Sequence, residues 1–239
     1  MISEKFYVGY SEINKDFELS NVALLSMFQD ATTIHGKLAN DSLKDQDGGW
    51  FLTAYKIKIS KRPIYESYVN VSTWSRGIRG FLASREFEIR DDEGNVQVAA
   101  LSNWARINKH TQKIERVSKD VIDAYGLENM TNFESEWIPK LTECDKVDFE
   151  TTFVANRNYI DVHKHMNNVS YMKLAELVLP EEIYNKPEAL EFEIMYRNAI
   201  KCDEEVKCQF TETEEFYNIS VKSLDLSDLK AIIRLYKNK

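Results

Sequence analysis

Proline and glycine are scarce, 4 and 8 in 239 residues, which excludes collagen-like and linker-dominated chains. Cysteine is scarcer still. Cys144, Cys202 and Cys208 are odd in number and lack metal-type or paired spacing, so reduced structural thiols are expected rather than a disulfide framework. No run approaches the ~18 uninterrupted apolar residues of a membrane span. The opening Met-Ile-Ser-Glu-Lys-Phe-Tyr-Val-Gly-Tyr lacks the apolar region of a secretory leader, and a cytoplasmic protein is expected. Positive charge is short as well: 31 Lys and Arg against 39 Asp and Glu give a net charge of −8. Nucleic-acid binding is driven by Lys and Arg neutralising phosphates, so no such partner is expected.

What is present is apolar and aromatic, 43% and 12% of the chain, enough for one large domain or two small ones. Leu19, Val22, Ala23, Leu25, Met27, Phe28, Ala31 and Ile34 predict an amphipathic helix over about 20–39, with Ser20 and Asn21 able to cap it. Extended segments follow near 51–62, 66–77, 80–91 and 96–108, with a hairpin turn over 91–95. Residues 112–146 are polar and charge-mixed, a connector over the surface with a short helical piece around Lys119 to Tyr125. Beyond it come an extended piece, a helix over about 167–179, and extended segments near 190–198, 203–213, 215–225 and 229–237.

The order of elements therefore repeats. Asn21, Val22, Leu25, Met27 and Gln29 stand at one constant offset from Asn168, Val169, Met172, Leu174 and Glu176, and Arg62 and Arg197 follow the first post-helix strand of each half. An α+β architecture is expected, a long helix wrapped by a curled antiparallel sheet, twice over, with domains at 1–146 and 147–239.

Chemistry concentrates in residues 157–176. Asp161, His163, His165, Asn167 and Asn168 precede the second helix, and two of the four histidines lie there. Groups that titrate near neutrality, beside the unpaired amides of a helix start, suit a site handling a polarised carbonyl. A metal site from Asp161, His163 and His165 is the competing reading, but alternate residues of one strand rarely close a ligand set without a distant fourth group. Trp50, Trp74, Trp104 and Phe87 are expected in the core, and His35 as a satisfied helix histidine. Lys56, Lys58, Lys61, Arg62, Arg76, Arg79 and Arg85 crowd a span with one acidic residue, Glu66, and offer a basic patch or a solvated sheet face.

These motifs resemble the acyl-acyl carrier protein thioesterases over nearly the whole chain. In the first half the resemblance rests on Phe28-Gln29-Asp30-Ala31 with His35, Trp50, Arg62-Pro63, Thr73-Trp74, Arg85-Glu86-Phe87-Glu88-Ile89, Gly94 and Ser102-Asn103-Trp104. In the second it rests on Asp161, His165, Asn167-Asn168, Tyr171, Glu176, Pro180 and Tyr196-Arg197. It implies a tandem (double) hotdog fold, with the acyl pocket mostly in the first hotdog and the catalytic groups in the second. The implied reaction is hydrolysis of the thioester between a fatty acyl chain and the phosphopantetheine of acyl carrier protein, with no metal or organic cofactor.

By position Asp161, His163 and His165 take the catalytic places, His163 standing where the family has Asn. Asn167 and Asn168 supply amides for the thioester oxygen, with Tyr171 and Glu176 as support behind them. Ala199 and Ile200 occupy the places where the family has Glu and often Cys. Lys56, Lys58 and Arg62 are the expected contacts for an acidic carrier protein. Hydrolysis of a coenzyme A thioester and an acyl-binding hotdog with impaired catalysis are the alternatives, and either a monomer or a homodimer is compatible.

Overall fold

The computed structural model describes residues 1–41, 48–108, 110, 111 and 113–238. They divide into two compact units, Met1–Ile138 and Pro139–Lys239. Ile138 still donates its amide to Asn103 Oδ1 in unit 1 (2.8 Å), whereas Leu141 packs on Met195 and Ile232 in unit 2. The division thus lies eight residues ahead of the expected 146/147 boundary.

Unit 1 comprises β1 (Ile2–Tyr7), α1 (Asn21–Leu38), β2 (Gly48–Ile59), β3 (Tyr68–Arg79), β4 (Leu82–Arg90), β5 (Val96–Asn108) and α2 (Lys119–Tyr125). Its antiparallel sheet runs β1-β3-β4-β5-β2. Ser20 Oγ accepts the Ala23 amide at 3.1 Å and so caps α1. Leu24, Phe28, Ala31 and His35 recur every three or four residues and form the buried stripe of that helix. Phe28 packs tilted against Phe87 of β4 with centroids 4.5 Å apart, and truncating it to Ala would cost about 4 kcal/mol. At the 91–95 hairpin, Asp91 Oδ1 accepts the amides of Glu93 and Asn95, and Gly94 has φ 88°, a region that disfavours side chains. β1 was not expected: its half-buried positions Ile2, Glu4 and Phe6 include a charge, which weakens the alternation.

Strand β4 is buried on both faces. Phe87 faces α1, while the opposite side is covered by residues 127–138. Leu127 bridges Ser75, the Trp74 indole donates to the Met130 carbonyl (3.0 Å), and the Asn132 amide donates to Glu86 (2.6 Å). Burial holds the Glu86 carboxyl above the usual range, offset in part by the Asn132 amide and Arg76. The expected surface connector is therefore, in this stretch, a strap packed on the sheet of unit 1.

Unit 2 comprises β6 (Phe149–Val154), α3 (Ser170–Val178), α4 (Glu181–Tyr184), β7 (Glu191–Tyr196), β8 (Glu205–Glu212), β9 (Phe216–Ser223) and β10 (Leu229–Tyr236). Its antiparallel order, β6-β8-β9-β10-β7, repeats that of unit 1 strand for strand. The helix expected over 167–179 is shorter, continuous only over Ser170–Val178. Leu179 turns extended before Pro180, whose ring disfavours helical geometry in the preceding residue, and α4 resumes for one turn.

The duplication extends to irregular structure. β1 and β6, the 3-10 turns Tyr10–Glu12 and Arg157–Tyr159, the bridges Ile13 to Leu19 and Ile160 to Met166, and the positive φ of Phe17 and Lys164 all share the offset of Asn21 and Asn168. The expected match of Arg62 with Arg197 fails. The amides of Ser60 and Lys61 converge on the Gln97 carbonyl, and those of Arg197 and Asn198 on the Lys230 carbonyl. Arg197 thus answers to Ser60, and Arg62 answers to Ala199. Among the described residues no helix is long and apolar enough to cross a membrane.

Candidate active site

The loop after β6 is pinned at both ends. The Ala155 amide donates to the Glu204 carbonyl and the Asp203 amide returns to the Ala155 carbonyl, while the Met166 amide donates to the Ile200 carbonyl (2.8 Å). Between these ties the chain reverses through Lys164, whose φ of 64° permits the tight turn. From Asp161 to His165 the chain is neither strand nor helix. Asp161 donates its amide to the His165 carbonyl (2.9 Å), which sets the two residues opposite each other, and Asp161 Oδ1 accepts the His163 amide (2.8 Å). Asp161 and His165 are half-buried; His163, at the tip, is exposed. Among the described residues no hydrogen bond joins either imidazole to the Asp161 carboxylate, and no cluster of three or more His, Cys, Asp or Glu is arranged to hold a metal.

The two carboxamides have different tasks. Asn167 is occupied: its amide donates to the Tyr159 carbonyl, and its Oδ1 accepts the Val169 amide (2.9 Å), ordering the entry to α3. Asn168 is held by its carbonyl, which accepts the Tyr196 hydroxyl at 3.1 Å. Its main-chain N–H and its carboxamide have no partner among the described residues. Tyr171 is buried edge-on against Tyr196 (5.3 Å) and is hydrogen-bonded to the Ile200 main chain. Burial raises its pKa, and the Glu204 and Asp161 carboxylates add to the rise. Tyr171 is therefore neutral, packed against the Tyr196 that holds the Asn168 carbonyl. Glu176 lies five residues further along α3, half-buried.

Of the expected carrier contacts, Lys58 is exposed and Lys56 half-buried on the same face of β2. Arg62 must be withdrawn. It is 4% exposed and donates from Nη1 to the Leu19 carbonyl and from Nη2 to Asn21 Oδ1, both at 2.8 Å, clamping the start of α1.

Unit 1 contains a polar interior that the sequence did not announce. A pocket partly open to solvent is lined by Thr32, Trp50, Ser84, Arg85, Trp104 and Tyr125, among others, so Trp50 and Trp104 line space instead of filling core, whereas Trp74 and Phe87 are fully buried. Arg85 Nη1 donates to His35 Nδ1 (2.9 Å) and Thr73 Oγ1 (3.0 Å). Burial and the adjacent guanidinium push the His35 pKa down to about 4, so the ring is neutral and the partner expected for it is present. Tyr125, the Trp50 indole and Arg106 all bond to the Asp41 carboxylate. Period-two spacing from Phe87 places Arg85 on the inward face, the one signal available for it in the sequence.

Two family models match. Residues 1–125 fit the acyl-ACP thioesterase N-terminal domain and residues 142–232 the acyl-ACP thioesterase C-terminal domain. An acyl-[acyl-carrier-protein] hydrolase of Cuphea viscosissima is 25% identical over 84% of this chain and 52% of its own length. An oleoyl-acyl carrier protein thioesterase of Arabidopsis thaliana is 26% identical over 70% of this chain and 49% of its own. The chain spans about half the length of these curated relatives. Among solved structures, an acyl-ACP thioesterase from Bacteroides thetaiotaomicron superposes with a TM-score of 0.86 at 20% identity, covering 98% of this chain and 97% of the other. The 12:0-ACP thioesterase from Umbellularia californica gives 0.85 at 19%, covering 100% and 97%. These likenesses give the fold, and with both family models matched in register, the chain belongs to the acyl-ACP thioesterase family.

Proposed function

We propose that this chain hydrolyses the thioester between a fatty acyl chain and the phosphopantetheine arm of acyl carrier protein, releasing free fatty acid and carrier thiol in the cytoplasm. Unit 1 is read as the acyl-binding module and unit 2 as the hydrolytic one, and the reaction calls for no cofactor. The observation that carries the reading is the set of Asp161, His165 and the uncommitted N–H groups of Asn168 on one pinned loop. His165 takes a proton from water while Asp161 orients the pair, and the water oxygen attacks the thioester carbon. The Asn168 amide and carboxamide N–H groups donate to the developing oxyanion, a role closed to the Asn167 amide because it already donates to the Tyr159 carbonyl. The C–S bond then breaks and the thiolate recovers the proton from His165, with His163 at the exposed tip assisting as a donor.

Ala199, standing where the family has a carboxylate, favours a second reading, an acyl-binding protein with impaired catalysis. One experiment separates the two. Asp161→Asn and His165→Ala should each lower kcat/KM on a carrier-linked thioester by about a hundredfold, as loss of general acid–base catalysis does. Unchanged turnover in both variants would remove these residues from catalysis. A preference above about tenfold for the matching coenzyme A thioester, some 1.4 kcal/mol, would overturn the choice of partner.

A further inference from the structure

Arg85 is 7% exposed and lines the pocket of unit 1, yet its partners are a neutral imidazole and a hydroxyl. Its other guanidinium N–H groups have no partner among the described residues. Two other arginines of the same unit that are largely buried have carboxylates: Arg106 pairs with Asp41 and Glu115, and Arg76 with Glu86. The Tyr125 ring lies 5.5 Å from the Arg85 guanidinium carbon, and that hydroxyl is spent on Asp41. A buried cation satisfied on one edge only leaves a positive potential at its free edge, where an oxyanion matches both charge and bidentate geometry. Nearby, Trp50, Trp104 and Ile78 offer apolar surface for a hydrocarbon chain.

We infer that the pocket of unit 1 binds the carboxylate of an aliphatic acid through Arg85, with the alkyl chain laid against the tryptophans. This rests on the reading of unit 1 as the acyl-binding module but does not require hydrolysis by unit 2. A plain alkyl tail filling the site would leave the free edge of Arg85 without an acceptor, so the ligand group there carries oxygen and negative charge. Two sources share that chemistry, a freed fatty acid and an acyl chain with a carboxylate at its far end.

The test is calorimetric titration of the full chain with octanoate and with octan-1-ol. Octanoate should bind at least tenfold more tightly. Arg85→Gln should abolish the difference and Arg85→Lys should retain part of it, which guards against a Gln variant that does not fold. Asp161→Asn should leave the preference intact. Faster hydrolysis of the mono-thioester of octanedioic acid than of the octanoyl thioester assigns the carboxylate to the acyl tail. Inhibition by octanoate without that preference assigns it to the free acid. Equal affinity for octanoate and octan-1-ol, or a preference that survives Arg85→Gln, overturns the inference.

Discussion

The same corner is built twice in this chain, and the two copies differ in one decisive respect. In unit 1, Arg62 reaches from the exit of β2 to the start of α1 and consumes the Leu19 carbonyl and the Asn21 carboxamide. In unit 2 the equivalent residue is Ala199, and Asn168, the counterpart of Asn21, keeps its carboxamide uncommitted. Pro63 has no N–H, and opposite it stands Leu24; the counterpart Ile200 does, and the Tyr171 hydroxyl meets it. One copy is thus a closed structural clamp, and the other leaves the N–H and carboxamide of Asn168 without a partner among the described residues. The corner geometry is shared, and Ala199 offers no side chain to clamp it as Arg62 does.

The clamp is where the largest effect is expected. Arg62→Ala leaves two buried acceptors unmet, at about 2 kcal/mol each, so unit 1 should lose about 4 kcal/mol. All four tryptophans, at 50, 74, 104 and 137, lie in unit 1, so their fluorescence in a urea titration reports that loss. A midpoint close to that of the parent chain would mean that the corner is not a clamp. Charge reversal at Arg62 would for the same reason unfold the unit before it tested any partner.

Next comes acid. The folded pKa of His35 is about 4 against about 6.5 when unfolded. Below pH 6.5 the unfolded chain binds a proton that the folded chain refuses. The stabilisation is present above that pH and is lost as pH falls towards 4, by up to about 3 kcal/mol. Tryptophan-monitored urea midpoints should fall across this window, and His35→Gln, whose side-chain oxygen can still accept from Arg85, should flatten the fall. An undiminished slope in that variant would place the sensitive group elsewhere.

Grafting one corner onto the other tests the comparison directly. Ala199→Arg should let the guanidinium take the Asn168 carboxamide as Arg62 takes that of Asn21. Thioester hydrolysis should then fall at least tenfold, about 1.4 kcal/mol, with stability held. Full activity in an Ala199→Arg variant whose crystal structure shows the new guanidinium bonded to Asn168 would deny Asn168 its place at the oxyanion.

Much of this was legible in the order of residues alone. Alternation of bulky residues gave β2 to β5, Ser20 gave the start of α1, and the offset between Asn21 and Asn168 proved to hold for turns and bridges as well as helices. The Asp161 loop was legible as a cluster because its contacts are local, two to four residues apart. Arg62 and Arg85 were not, since charge defaults to the surface in a sequence reading and their partners Leu19, Asn21 and His35 lie 40 to 50 residues away. The strap over β4 was missed for the same reason: polar residues 127–138 look solvated until the carboxylate of Glu86 and the indole of Trp74 are found to need them.

With Arg62 withdrawn, the expected carrier contacts reduce to Lys56 and Lys58, and the expected effect there is the smallest. Exposed charges contribute mainly to encounter with an acidic partner and are screened within about 8 Å at physiological salt. The double variant Lys56→Glu with Lys58→Glu should raise KM for a carrier-linked thioester about fivefold at low salt. The difference should vanish near 0.5 M salt, while turnover of the coenzyme A thioester stays level. A loss that salt does not modulate, or one shared by both substrates, would mean that the substitutions disturb β2 itself, and the carrier would then have to dock elsewhere.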